Sequence, residues 1–197
     1  LGRGGMGVVL LARDLHFDRH VAVKLVSPDL VSRPDALAKF HTEARAMAGI
    51  RHVNVVNLFA YGEHEGQPYF VMEYVPGNTV IDILLDLERS ARLPHPDEVV
   101  GILEQVCRGL TAIHDAGVIH GDIKPGNVLI GAAFRAVVTD FGLMRWTGQP
   151  ENLEVVTGTP AYIPPEVVLV DDLELRLTPA ADVYALAVMA FEMFTGR

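Results

Sequence analysis

The chain has 197 residues, with 16 Lys+Arg against 25 Asp+Glu and a formal charge of −9. Half of the residues are hydrophobic and 21% are charged, which excludes a disordered or fibrous chain and allows one domain or two small ones. The acidic balance argues against a general binder of nucleic-acid backbones, and the single cysteine, Cys107, excludes a disulfide framework and suits a reducing compartment.

In chain order, Val8 to Leu11 and Val21 to Val26 read as strands, with a polar turn between them. Ser32, Pro34 and Asp35 signal a helix start, and Leu37, Phe40, Ala44 and Met47 follow at helical spacing until Gly49. Strands are expected at Val55 to Ala60 and Tyr69 to Tyr74, and Pro76-Gly77-Asn78 then breaks the pattern. Ile81 to Leu87 is a short amphipathic segment. Asp97 to His114 is a longer one, with Val99, Leu103, Val106, Leu110 and Ile113 on one face. Cys107, beside Val106 and Leu110, is expected in the core, and His114 is expected to be structural. Short strands at Val118-Ile119, Val128 to Ile130 and Val137-Val138 precede an irregular stretch from Gly142 to Pro165 that contains Trp146. The last element, Ala180 to Phe194, is apolar on nearly every face and is expected to be buried. Its longest apolar run, Val183 to Phe191, is too short to span a bilayer, and no signal peptide is visible. The chain opens on Leu1 and stops at Gly196-Arg197 directly after this helix, so a piece of a longer protein is expected, one that exposes apolar surface around its last helix.

Four stretches carry chemistry. Gly2-Arg3-Gly4-Gly5-Met6-Gly7-Val8-Val9 is a G-x-G-x-x-G-x-V pattern whose glycines let backbone N–H groups approach phosphate oxygens. A dinucleotide fold needs a helix after such glycines, and strand residues follow here. Lys24 lies inside the apolar strand Val21-Ala22-Val23-Lys24-Leu25, where a cation needs an acidic partner. Glu43, between Phe40 and Met47 on the apolar face of its helix, meets that need. His120-Gly121-Asp122-Ile123-Lys124-Pro125-Gly126-Asn127 places Asp122, Lys124 and Asn127 in one short loop. Asp140-Phe141-Gly142 follows, and two carboxylates with an amide suit Mg²⁺, a hard cation with oxygen ligands. The pair His16 and His20 has no third ligand nearby, so no metal site is expected there.

Together with Pro164-Pro165-Glu166, these motifs in this order resemble the protein kinases, and specifically the bacterial eukaryotic-like serine/threonine class. The resemblance covers the whole chain. It implies an α+β, bilobal protein-kinase-like fold: a β-rich N-lobe with one regulatory helix (1–71), a hinge (72–78) and a mostly helical, incomplete C-lobe (79–197). It implies ATP-dependent phosphoryl transfer to Ser/Thr hydroxyls of protein substrates, autophosphorylation included, with Mg²⁺ or Mn²⁺ as the metal. By the same resemblance Gly2, Gly4 and Gly7 cradle the phosphates, Lys24 holds the α/β-phosphates and is oriented by Glu43, and Asp140 and Asn127 bind metal. Asp122 accepts or orients the substrate hydroxyl proton, Lys124 neutralises the transferring group, and Thr159 positions Asp122. Val9, Ala22 and Leu129 sandwich adenine, Met72 is the gatekeeper, and the backbone of Glu73 and Val75 hydrogen-bonds the adenine edge. Met47, Leu58, His120 and Phe141 match a stacked hydrophobic spine anchored by Asp182. No nucleic-acid partner and no membrane segment within this stretch are expected. A cytoplasmic location is expected, with room for an anchor outside the stretch and for pairing of two kinase domains. The alternatives are a small-molecule phosphotransferase of the antibiotic or choline type, whose relatives lack the three-glycine loop, and a pseudokinase, which predicts loss of Lys24, Asp122 or Asp140. The chain departs from the family at Gly121, where an arginine that binds an activation-loop phosphate is usual, which predicts activity without such a phosphate on Thr147 or Thr157.

Overall fold

Valine-rich stretches on either side of the turn at residues 15–18 pair as an antiparallel hairpin, the beginning of the larger of two sheets. The computed structural model describes residues 1–4, 7–27, 44–140, 160–165 and 178–196. Strand β1 (Gly2–Gly4) folds back on β2 (Gly7–Asp14), β2 pairs with β3 (Arg19–Val26), and β3 pairs with β5 (Gln67–Glu73). Strand β4 (Leu58–His64) closes the far edge, giving the antiparallel order β1-β2-β3-β5-β4. Register decides which side chains share a face: Lys24 lies opposite Val9 and Phe70, and Ala22 opposite Leu11 and Met72. Val9, Ala22, Lys24 and Met72 therefore lie on one face of the sheet. Glycine is demanded at Gly7, the first residue of β2: its φ is +135°, and a Cβ there would sit 1.9 Å from the Leu25 carbonyl oxygen of β3.

The second part carries a small sheet, β6 (Asn78–Thr79), β7 (Val128–Ile130) and β8 (Ala136–Val138), in that order. Helix α1 (Val80–Arg89) starts in a capping box between Thr79 and Asp82, whose carboxyl is held below its ordinary range by the Thr79 hydroxyl and amide. Helix α2 (Pro96–Asp115) buries Val99, Ile102, Val106, Leu110 and Ile113. Helix α3 (Pro179–Thr195) packs on α2 and on a 3₁₀ turn at Pro160–Tyr162. Residues 44–49 are helical as well, with Ala44 and Met47 buried. One apolar core runs from Leu58, Phe70 and Met72 of the large sheet through Val55 and Val138 to Ile113 and Met189.

Four expectations are corrected. Val118-Ile119 is not a strand: the Val118 and Gly117 amides donate to the Ile113 and His114 carbonyls and close the end of α2 as a Schellman motif. The strand expected at Val55 to Ala60 begins only at Leu58. Before it, Val56 donates to the Val138 carbonyl and Val138 to the Asn54 carbonyl, so the valine run joins the small sheet rather than the large one. Cys107 is exposed, because one helical step of about 100° turns it off the stripe that Val106 occupies. Helix α3 buries Ala181, Asp182, Ala185, Met189 and Met193 at helical spacing, whereas Val183 and Phe191 are 60% and 61% exposed, so only one face is buried and apolar surface is exposed along the other.

Candidate functional site

The loop between α2 and β7 is built around one buried carboxylate from α3. Asp182, 1% exposed, accepts from the His120 amide at 2.9 Å, from the Gly121 amide at 2.8 Å and from His114 Nε2 at 2.7 Å. These are the buried donors that such a carboxylate needs. Gly121 sits at φ +76°, a left-handed conformation that costs glycine little and an arginine more. The His120 ring is fully buried, accepting at Nδ1 from the Asp122 amide at 3.1 Å and meeting the Thr139 carbonyl from Nε2 at 3.0 Å. One ring nitrogen accepts and the other donates, which is the neutral imidazole. Burial pushes its pKa down, against the smaller upward pull of the Asp182 charge and the Thr139 carbonyl.

A pH dependence follows from that shift. An unfolded imidazole takes a proton below about pH 6.5. Folded His120 does so only at lower pH, so between the two values the unfolded state holds more protons. The stability that His120 contributes is complete above about pH 6.5 and declines as pH falls through that window. In long-range ¹H–¹⁵N spectra the His120 signals are expected to keep the neutral Nε2–H pattern at about pH 6.5; half-protonation there would contradict the buried neutral ring.

Asp122 follows, 8% exposed. Its Oδ2 accepts from Lys124 Nζ at 2.6 Å and from Asn127 Nδ2 at 2.9 Å, while its backbone carbonyl takes the same Asn127 amide at 2.7 Å. Asp122 Oδ1 accepts no hydrogen bond among the described residues. Pro125–Asn127 forms a single 3₁₀ turn that delivers Asn127 to the start of β7. Across the β7–β8 hairpin, Asp140 stands two residues after the end of β8 with φ +62°, a strained position for a residue with a Cβ. Its Oδ1 accepts from Lys24 Nζ at 2.8 Å. The Lys24 side chain is 5% exposed, so this ion pair joins β3 of the large sheet to the end of the small one.

The sequence-derived candidates thus converge in part. Lys24 and Asp140 form one carboxylate–cation pair, and Lys124 and Asp122, joined by Asn127, form another, the two flanking the β7–β8 hairpin in sequence. Val9, Ala22 and Met72 share the Lys24 face of the large sheet, and half-buried Leu129 stands on β7. Gly2 pairs with Val9 and Gly4 with Gly7, and nothing lies within 4 Å of a Cβ built at Gly2. Val75, after β5, makes no turn or loop backbone hydrogen bond among the described residues, while the Glu73 amide donates to the Asn57 carbonyl at 2.9 Å. Glu43 and Thr159, with Phe141, Trp146 and Glu166, lie outside the described residues; the described partner of Lys24 is Asp140. Sequence reasoning missed Asn54, Asn57, Gln105 and Arg135. Asn54, 3% exposed, donates to Gln105 Oε1 at 3.0 Å and to the Ala136 carbonyl at 2.8 Å, pinning the 51–57 loop to α2 and β8. The local signal for it was His52-Val53-Asn54, a polar pair just before a valine run.

The site fits a divalent cation. Both amide hydrogen bonds of Asn127 go to Asp122, which leaves its Oδ1, on a residue 6% exposed, without a donor among the described residues. Asp140 retains Oδ2. Two protein oxygens suit Mg²⁺, which takes most of its shell from water and phosphate.

The protein kinase domain family model matches residues 1–197. Serine/threonine-protein kinase drp72 of Corynebacterium efficiens is 37% identical over all of this chain and 38% of its own length. PknB of Mycobacterium leprae and PknA of Corynebacterium glutamicum, both named serine/threonine-protein kinases, are 36% identical over the whole chain. The chain spans 32% and 42% of their respective lengths. The crystal structure of the Mycobacterium tuberculosis PknI kinase domain superposes with a TM-score of 0.80 at 27% identity, covering all of this chain and 70% of that one.

Proposed function

Because the chain belongs to the protein kinase domain family, we propose that it transfers the γ-phosphoryl group of ATP to Ser/Thr hydroxyls of protein substrates, itself included. The observation that supports this most is the pairing of Lys24 with Asp140 and of Lys124 with Asp122 across one hairpin. Those four groups supply two positive charges for phosphate oxygens, a carboxylate for the metal and a carboxylate for the hydroxyl proton. Residues 1–71, 72–78 and 79–197 serve as N-lobe, hinge and partial C-lobe.

In this reading adenine lies against Val9, Ala22 and Leu129 and is held at its edge by the Glu73 and Val75 backbone, below Met72. The β1–β2 glycines leave the strand backbone open to the phosphates, and Lys24 supplies a positive charge for the α/β-phosphates. Asn127 Oδ1 and Asp140 would hold Mg²⁺, which when bound neutralises charge on the transferring phosphates. Lys124 already reaches Asp122 and can shift to the transferring group. Asp122 Oδ1, which has no donor among the described residues, takes or orients the proton of the attacking hydroxyl. The test is phosphoryl transfer from ATP·Mg²⁺ to a Ser/Thr protein acceptor by wild type, Asp122→Ala and Lys24→Met, with equal signal in all three refuting the reading.

Activity is expected without a phosphate on the activation loop. Gly121 offers no guanidinium to bind one, and the loop backbone is already held by Asp182 through the His120 and Gly121 amides. Exhaustive phosphatase treatment followed by a rate measurement checks this; activity that disappears with the phosphate overturns it.

A further inference from the structure

Arg135 belongs to none of the motifs above, yet it ties together the 51–57 loop, the end of β5 and the β7–β8 hairpin. It stands in the turn between the 3₁₀ residues Ala132–Phe134 and β8. Its Nε donates to the Val53 carbonyl at 2.8 Å, and its Nη2 donates to Glu73 Oε1 at 2.8 Å. The other Glu73 oxygen accepts from Asn57 Nδ2 at 2.7 Å, so the carboxylate is gripped from both sides. We propose that Arg135 is a positioning residue for the nucleotide: a strut that holds the adenine-binding end of β5 in register with the β7–β8 hairpin. This rests on the protein-kinase reading.

The placement carries the argument. Glu73 is the last residue of β5 and opens the segment whose backbone would meet adenine. The hairpin on which Arg135 stands begins just after Asn127 and ends just before Asp140, the two metal-binding candidates. The guanidinium thus ties the base end of the nucleotide site to the turn of that hairpin, whose two strands run from this turn toward Asn127 and Asp140. Its side chain is 32% exposed and that of Glu73 19%, so the pair is shielded more than an ordinary surface ion pair. The two acceptors belong to segments 82 and 62 residues away, and a planar fork fixes its direction to both. A lysine, whose three N–H donors share one nitrogen on a flexible stem, does not match the two separate donor positions that Arg135 uses. The next residue is fixed as well: the Ala136 amide donates to Gln105 Oε1 at 2.9 Å, so a displaced Glu73 is not followed by the hairpin.

The test is calorimetric titration of the full chain with ATP·Mg²⁺, together with steady-state kinetics and thermal unfolding without ligand. Arg135→Met is expected to raise both the Kd and the KM for ATP about fivefold with kcat little changed. Arg135→Lys is expected to weaken binding as well, and it carries the test if Arg135→Met does not fold. Glu73→Gln combined with Arg135→Met is expected to weaken binding no further than Arg135→Met alone. A purely structural role lowers the unfolding temperature and leaves Kd and KM where they were. Wild-type ATP affinity in the arginine variants therefore overturns the strut while the kinase reading stands. A wild-type chain that binds no ATP·Mg²⁺ overturns the kinase reading, and the strut with it.

Discussion

Replacing Asp122 with alanine is expected to lower kcat by about 10³-fold, within the range for removal of a positioned proton acceptor, and to leave the affinity for ATP nearly unchanged. Asp122 Oδ2 is committed to Lys124 and Asn127, while its second oxygen has no donor among the described residues. In the proposed mechanism the substitution removes the oxygen that would receive the hydroxyl proton. It disturbs the fold little. Lys124 is one-quarter exposed and can be rehydrated, and Asn127 keeps its bond to the Asp122 backbone carbonyl. The cost to stability should stay near about 1–2 kcal/mol, the range for a partner lost from a polar pair. Steady-state kinetics with ATP·Mg²⁺ and a Ser/Thr protein acceptor, beside calorimetric ATP binding, separate the two effects. A variant that keeps more than a tenth of the wild-type rate would show that positioning and charge alone drive the transfer.

Lys24→Met separates from Asp122→Ala in a useful way. Lys24 reaches across from β3 to Asp140, so its loss leaves a carboxylate that is 27% exposed without its cation, at the end where the phosphates would lie. Both ATP affinity and kcat should fall, whereas Asp122→Ala affects kcat alone. That outcome would divide binding from chemistry between the two lysine–carboxylate pairs.

Where the sequence was legible, the information was local. Lys24 inside Val21-Ala22-Val23 and Asp122, Lys124 and Asn127 within six residues announce themselves because polar groups in apolar runs need a reason to be there. Asp182 was readable for the same reason, and its three donors are found. Arg135 and Asn57 were not readable: their shared partner, Glu73, lies 62 residues from one and 16 from the other, and each alone has the look of a solvated loop residue. Cys107 was misplaced by one helical step, because adjacent residues on α2 differ by about 100° in direction. Val118-Ile119 has strand composition, but the Val118 amide is taken by the end of α2. Tertiary hydrogen bonding overrode β propensity there. Val55 and Val56, before Leu58, show the same thing: they are buried but serve the other sheet.

Asp182→Ala is expected to destabilise the fold by about 3–5 kcal/mol, the range for removing one partner from a buried charged network. Three donors lose their acceptor together: the amides of His120 and Gly121 and the ring of His114. The His120 amide is wholly buried and has no route to water, so its desolvation is left uncompensated. Against a total of about 5–15 kcal/mol for a domain, that loss is a large share. Urea unfolding at pH 7.5 measures it, and the midpoint should fall with the slope unchanged if the variant still unfolds in one step. Val183→Thr, the next residue on α3 and 60% exposed, is the control and should stay within about 0.5 kcal/mol of wild type. Asp182→Asn keeps the shape and one acceptor oxygen but turns an amide N–H₂ toward a donor, so it should recover only part of the loss. The rate should fall as well as the stability, because the two amides that Asp182 holds immediately precede Asp122 in the loop. An Asp182→Ala chain within about 1 kcal/mol of wild type would mean that the His120–Gly121 backbone finds other acceptors, and that α3 supports the catalytic loop by packing alone.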